Sequence, residues 1–108
     1  MDLKAIGEDL GLEEEEFLEI VELFLETAEM DIDRLKQALS GGDIHALNEA
    51  AHSLKGSAGN LGFTQIYILS KEIEKATRQN ALAEIPPVLE SIEKLKENIQ
   101  AALTARST

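Results

Sequence analysis

Apolar residues recur along this chain at intervals of three and four, the spacing that places side chains along one side of an α-helix. Five segments show the pattern: residues 2–10, 13–40, 43–61, 64–79 and 85–103. The connections between the four longer segments are short, which makes antiparallel neighbours the expected arrangement. The sequence therefore predicts an all-α protein, an antiparallel up-down four-helix bundle with a short extra N-terminal helix. We expect a single domain over residues 1–108, with a frayed tail after residue 103.

Composition narrows the classes of protein that fit this pattern. Hydrophobic residues make up 44% of the chain but aromatic residues only 4%, which favours an aliphatic helical core. A net charge of −11 argues against binding to nucleic acid or to an anionic membrane, because both depend on clustered Lys and Arg. No apolar run approaches the roughly 20 residues that span a bilayer. The absence of cysteine and of a secretory signal is compatible with a cytoplasmic protein.

His52 stands on the polar side of the third predicted helix. The buried stripe of that helix is Ile44, Leu47, Ala51, Leu54, Ala58 and Leu61. His52 follows Ala51 by one residue, a rotation of about 100°, and so it faces solvent. Lys55 lies one turn further on, and Gly56 and Gly59 continue the histidine face.

Two glycines within a helix each cost about 1 kcal/mol relative to alanine, so a compensating function is expected. Their effect is to remove side chains from the surface beside His52. On the fourth helix, Tyr67, Lys71, Glu74 and Arg78 form a polar stripe that flanks the histidine face in an antiparallel hairpin. This combination predicts a docking surface for a second protein.

The stretch from His52 to Phe63, His-Ser-Leu-Lys-Gly-Ser-Ala-Gly-Asn-Leu-Gly-Phe, resembles the signature of the histidine-containing phosphotransfer (HPt) domains of two-component phosphorelays. The positions that match the family pattern after the histidine are Leu54, Lys55, Gly56, Ser57, Ala58, Leu61 and Gly62. The helical layout is similar as well, so that the resemblance covers nearly the whole chain.

The resemblance implies that His52 accepts and donates a phosphoryl group through Nε2, in exchange with an aspartate of a receiver domain. A neutral imidazole is a nucleophile at nitrogen, and Lys55 can compensate charge on the phosphoryl oxygens. Helical side chains lean toward the N-terminus, so Asn48 or Glu49 can hydrogen-bond Nδ1–H. The position of Glu74 is often Gln in the family, where it contacts the imidazole, and the Glu here is a departure from that pattern.

The partner expected from the resemblance is a receiver (response-regulator) domain, including that of a hybrid histidine kinase. The residues expected to dock it are His45, Asn48, Gly56, Gly59, Tyr67, Lys71 and Arg78. We expect a monomer without a cofactor of its own, with Mg²⁺ supplied only through the receiver. No Gly-rich phosphate loop is present, so the chain is predicted to be a phosphotransfer intermediate and not a kinase.

Two alternatives from other classes stay open at this point. The first is a helical interaction or scaffold module without phosphotransfer, in which His52 is an ordinary surface residue. The second is a metal-binding bundle, because His45, Glu49 and His52 stand at i, i+4 and i+7 on one face and such spacing can hold zinc. A hydrolase is disfavoured, since an exposed histidine on a small bundle offers no cleft.

Overall fold

Helices make up most of the chain. The computed structural model describes residues 2–107, with side chains for residues 2–106. Its elements are α1 (Leu3–Asp9), α2 (Glu14–Gly41), α3 (Ile44–Asn60), α4 (Thr64–Arg78), a 3₁₀ turn (Leu82–Glu84) and α5 (Ile85–Ser107). No strand occurs within residues 2–107. The prediction of an all-α bundle with an extra N-terminal helix is confirmed.

Local sequence explains where the helices begin and end. Asp2 and Asp43 cap α1 and α3, because their carboxylates accept hydrogen bonds from the backbone N–H groups of Ala5 and Ala46. Gly42 follows α2 with φ of +68° and Gly62 follows α3 with φ of +78°. Glycine adopts this left-handed conformation without the steric cost of a Cβ, so both positions allow a sharp reversal of the chain.

Cross-helix contacts show the antiparallel arrangement directly. Three ion pairs join α2 to α5: Glu14–Arg106, Glu29–Lys96 and Lys36–Glu93. Their numbers rise along α2 as they fall along α5, so the two helices run in opposite directions. The molecule is 41 Å long, close to the roughly 42 Å that the 28 residues of α2 span at 1.5 Å per residue.

The core is built from the apolar stripes of the helices. Its largest fully buried side chains are Phe17, Leu3, Ile32, Leu35, Leu47, Leu54, Ile66, Ile73, Ile85, Ile92, Ile99 and Val21. The rings of Phe24 and Phe63 pack at 5.0 Å between centroids, which ties α2 to the start of α4. Within residues 2–107, no helix is long and apolar enough to cross a membrane.

The last helix is longer than the hydrophobic pattern predicts. It was expected to end at residue 103 with a frayed tail, but α5 continues to Ser107; Thr108 lies outside the described residues. One contact explains the extension. Arg106 lies three residues beyond the buried Leu103 and forms an ion pair with Glu14 at the start of α2, which fixes the final turn against its neighbour.

Candidate functional site

The site begins with the outward face of α3. Leu47, Ala51, Leu54 and Ala58 are buried on its inner side, so the helix is held against the bundle along its length. The opposite face is left to solvent, and the His52 side chain there is 70% exposed. The structure therefore confirms the exposure of His52 that the pattern predicts.

Glu74 approaches His52 from the neighbouring helix. Its Oε2 is 3.3 Å from Nδ1 of His52, although its own side chain is only 8% exposed. An ionised carboxylate can only accept a hydrogen bond, so Nδ1 carries the proton in this contact. Nε2 then has the free lone pair, and it has no partner among the described residues. The contact favours the tautomer in which Nε2 carries the free lone pair.

Lys55 makes the second contact to Glu74. Its Nζ lies 2.7 Å from Oε1, well within ion-pair distance. The interaction is therefore an ion pair. The Lys55 side chain is only 23% exposed, because its ammonium turns toward the buried carboxylate. His52, Lys55 and Glu74 thus form one cluster.

Glu74 stays ionised in this cluster despite its burial. Burial alone raises the pKa of its carboxyl, but the contacts with Lys55 and His52 outweigh burial and hold the pKa below its usual value of 4.5. At neutral pH the cluster therefore contains a negative charge beneath the imidazole. A Gln, which the resemblance implies is common at this position, would provide the acceptor without the charge.

The other residues expected to orient His52 have partners elsewhere. Asn48 donates from Nδ2 to the Thr77 hydroxyl at 2.9 Å, and Glu49 lies 2.7 Å from Nε2 of His45. In this structure Glu49 is therefore engaged by His45, and its orienting role at His52 stays a prediction. Among the described residues, no group of three or more His, Cys, Asp or Glu side chains is arranged to hold a metal ion, so the structure does not assemble His45, Glu49 and His52 as ligands.

The two glycines of the histidine face have different surroundings. A Cβ at Gly56 would meet nothing within 4 Å, whereas a Cβ at Gly59 would lie 3.0 Å from Cδ2 of Tyr67. Gly56 therefore leaves open space beside His52, as expected. Gly59 instead makes room for the half-buried Tyr67 ring and brings α3 and α4 close together.

The remaining residues predicted for docking lie on exposed surface. His45 is 85% exposed, and Lys71 and Arg78 are exposed on α4. A groove of about 770 Å³ lies elsewhere, lined by residues such as Ile6, Phe63 and Leu95. His52 itself stands on an open helix face, which suits a large partner better than a small enclosed substrate.

One pair beside the histidine is not predicted from the sequence. Asp31 of α2 is 1% exposed and accepts a hydrogen bond of 3.0 Å from the hydroxyl of Ser53, the residue after His52. It also forms an ion pair with Arg34. The sequence nevertheless contains a signal that Asp31 is buried. Asp31 lies seven residues from both Phe24 and Ala38, which are buried, so helix periodicity places it on the buried side of α2. The pair fixes α3 against α2 next to the site.

Comparisons with known proteins agree with this geometry. The sequence profile of the Hpt domain family matches residues 19–105. Histidine-containing phosphotransfer protein B from Pseudomonas aeruginosa is 26% identical, with a TM-score of 0.80 over 98% of this chain and 92% of that one. Comparison with curated proteins gives no significant match.

A second solved structure is similar in fold. The HPT domain of a sensor hybrid histidine kinase from Shewanella is 16% identical, with a TM-score of 0.78 over 97% of this chain and 91% of that one. The family match covers most of the chain and includes the exposed histidine, the lysine one turn on and the glycine beside them. The chain belongs to the Hpt domain family, whose members carry out histidine phosphotransfer in two-component phosphorelays and exchange phosphoryl groups with receiver domains.

Proposed function

We propose that His52 is the residue of this chain that carries the phosphoryl group. The observation that supports it most is the contact between Nδ1 of His52 and Glu74 at 3.3 Å, on a side chain that is 70% exposed. It leaves Nε2 unprotonated and accessible to a partner. The His45 side chain is also exposed, but its Nε2 is 2.7 Å from Oε1 of Glu49. In addition, no lysine stands three residues after His45.

The transfer step follows from the chemistry of these groups. The Nε2 lone pair attacks phosphorus of an aspartyl phosphate on the receiver, the N–P bond forms and the P–O bond to the carboxyl group breaks. The electron pair leaves with the aspartate, which becomes a carboxylate. The proton on Nδ1 stays in place, so that the phosphorylated ring is cationic, and the Glu74 carboxylate stabilises that charge. Donation to a receiver is the reverse of this step.

Lys55 has two roles in this proposal. Its ammonium neutralises Glu74 in the resting state, at 2.7 Å, and can turn toward the phosphoryl oxygens when the group arrives. The chain supplies no metal of its own, and any Mg²⁺ is held by the receiver. The receiver of a hybrid histidine kinase is one partner of this kind, and the chain acts as a monomer.

The experiment uses receiver domains phosphorylated with acetyl phosphate as donors. Label should appear in the parent and in His45→Gln, and should be absent from His52→Gln. It should be acid-labile and alkali-stable, as expected of a phosphohistidine. Full labelling of a folded His52→Gln protein would contradict the proposal. A scaffold module without phosphotransfer predicts no label in any of the three proteins.

A further inference from the structure

Some of the basic residues of this acidic chain form ion pairs with carboxylates, and others do not. Six of the ten form ion pairs with carboxylates in the described residues: Arg34, Lys36, Lys55, Lys94, Lys96 and Arg106. The four that have no ion pair there are Lys4, Lys71, Lys75 and Arg78. Three of these four lie on α4, within eight residues of one another.

Those three residues share one face of α4. Lys71, Lys75 and Arg78 stand at i, i+4 and i+7, which aligns them along the helix, and all three are exposed. We call this set the α4 ridge. Because α3 and α4 are joined by contacts at His52–Glu74 and Asn48–Thr77, the ridge lies beside the stretch of α3 that carries His52.

Among the described residues, no carboxylate lies within ion-pair distance of the α4 ridge, either from below or from its own helix. Glu74 is buried and already engaged by Lys55 and His52. Glu72 and Glu84 line a groove with Lys75 on the side toward α5, but neither is within ion-pair distance of it. In a chain with net charge −11, an unpaired cationic face next to the phosphorylation site is a local exception.

We propose that the α4 ridge selects receivers by charge, binding a receiver surface rich in Asp and Glu next to its phosphorylatable aspartate. The inference rests on the proposed function, since it assigns a partner chemistry to the face around His52. Charged groups at the rim of an interface act mainly on the rate of association and on the choice of partner, and their effect is screened by salt. The ridge therefore sets which receivers dock productively, while His52 performs the transfer.

The test uses a panel of purified receiver domains, chosen so that the surface around the aspartate ranges from acidic to basic. Each is phosphorylated with acetyl phosphate, and transfer to the chain is measured as a second-order rate at low and at physiological ionic strength. The main variant reverses the ridge with Lys71→Glu, Lys75→Glu and Arg78→Glu together, and Lys75→Glu alone is the milder variant. Lys4→Glu is the matched control, because it makes the same charge change per residue on α1.

Transfer from acidic receivers to the parent should be fastest and should fall with added salt. The triple reversal should slow it by about tenfold to a hundredfold at low salt and should move the preference toward basic receivers. Lys75→Glu should change the rates in the same direction, while Lys4→Glu should stay within about twofold of the parent. The thermal midpoint of each variant is measured to identify any that fails to fold. If the triple variant does not fold, the comparison is made with Lys75→Glu alone.

Two results would overturn the inference and leave the proposed function intact. One is a parent that transfers with all receivers regardless of their surface charge. The other is a ridge variant that behaves like Lys4→Glu. If no receiver phosphorylates the parent at all, the proposed function itself is wrong, and the ridge assignment is wrong with it.

Discussion

Glu74 lies directly beneath His52, with its Oε2 3.3 Å from Nδ1, although 22 residues separate them in the sequence. The same carboxylate is 2.7 Å from the ammonium of Lys55. One buried acid on α4 thus holds both the proposed nucleophile and the cation that is expected to face the phosphoryl group. The properties of this cluster decide how the site behaves in each of the following experiments.

Glu74→Gln should slow phosphoryl acceptance and shorten the lifetime of the phosphohistidine. The amide oxygen can still accept from Nδ1–H, but the charge that stabilises the cationic ring is lost. The difference between a charged and a neutral acceptor is about 1 kcal/mol, or roughly fivefold in rate. The phosphorylated form should decay faster, because a cationic ring that has lost its neighbouring carboxylate is a better leaving group.

The measurement for this substitution is single-turnover transfer from a phosphorylated receiver, followed by decay of the isolated phosphoprotein. Glu72→Gln is the control, since it removes the same charge from an exposed position of the same helix. Faster acceptance by Glu74→Gln, or a longer lifetime of its phosphohistidine, would show that Glu74 does not act on the ring as described.

The ionisation of Glu74 also predicts a pH dependence of stability. Its pKa is lowered in the folded protein from the ordinary value of 4.5, so near and below that pH the unfolded chain binds more protons at this site. The stabilisation is therefore complete above about pH 4.5 and is lost as the pH falls through the folded pKa. Urea unfolding from pH 7 to pH 3 should show the free-energy difference between the parent and Glu74→Gln shrinking on the acid side. A difference that grows toward low pH would contradict this assignment.

Lys55→Met separates the role of the cation in transfer from its role in folding. Removing the ammonium should slow transfer by about tenfold to a hundredfold, or roughly 1–3 kcal/mol. It should also destabilise the fold, because the buried Glu74 carboxylate loses its partner. Lys55→Arg should recover part of both effects. Lys94→Met, at an α5 side chain that is 71% exposed, should leave transfer and stability near the parental values.

The double variant Lys55→Met with Glu74→Gln makes this separation sharper. Its stability should return toward that of the parent, because no unpaired buried charge remains, whereas its transfer should stay slow. Urea unfolding and single-turnover transfer are measured on the same preparations. Recovery of both properties together would mean that Lys55 acts only through the fold.

Much of this site could be predicted from the sequence, because it depends on helix periodicity. The period of 3.6 residues predicts that Ala51 is buried and that His52 is exposed, and both are so in the structure. The partner of Nδ1 was not decided, because which of Asn48, Glu49 and Glu74 reaches the ring depends on how α4 packs against α3. Tertiary distances of that kind have no periodic signal along the chain.

The two glycines on the face of His52 show the same limit of prediction from the sequence. Gly56 and Gly59 look equivalent in the sequence, since both continue the face of His52. Only the packing of Tyr67 distinguishes them, because its ring would lie 3.0 Å from a Cβ at Gly59 while Gly56 has open space around it.

The hydrophobic pattern underestimates the length of α5 for a related reason. The ion pair of Arg106 with Glu14 joins the two ends of the chain, and such a contact cannot be read from the pattern.

Gly56→Leu should keep the fold and impair transfer. Nothing lies within 4 Å of a Cβ at this position, and removing a mid-helix glycine should stabilise the helix by up to about 1 kcal/mol. The new side chain would stand where a receiver approaches His52, so the rate of transfer should fall steeply. Gly56→Ala is the control, with the same gain in helix propensity and little added bulk. A thermal midpoint that collapses in Gly56→Leu would show that Gly56 is a packing residue.

The most direct test of the account is to identify the atom that carries phosphorus. The chain is labelled with ¹⁵N in its histidine rings and is phosphorylated by acetyl phosphate with a small amount of receiver domain, and ³¹P–¹⁵N couplings are then recorded. We predict coupling to Nε2 of His52, with Nδ1 of the same ring protonated in both the free and phosphorylated forms, and no coupling at His45. Phosphorus on Nδ1 of His52, or on His45, would contradict the account.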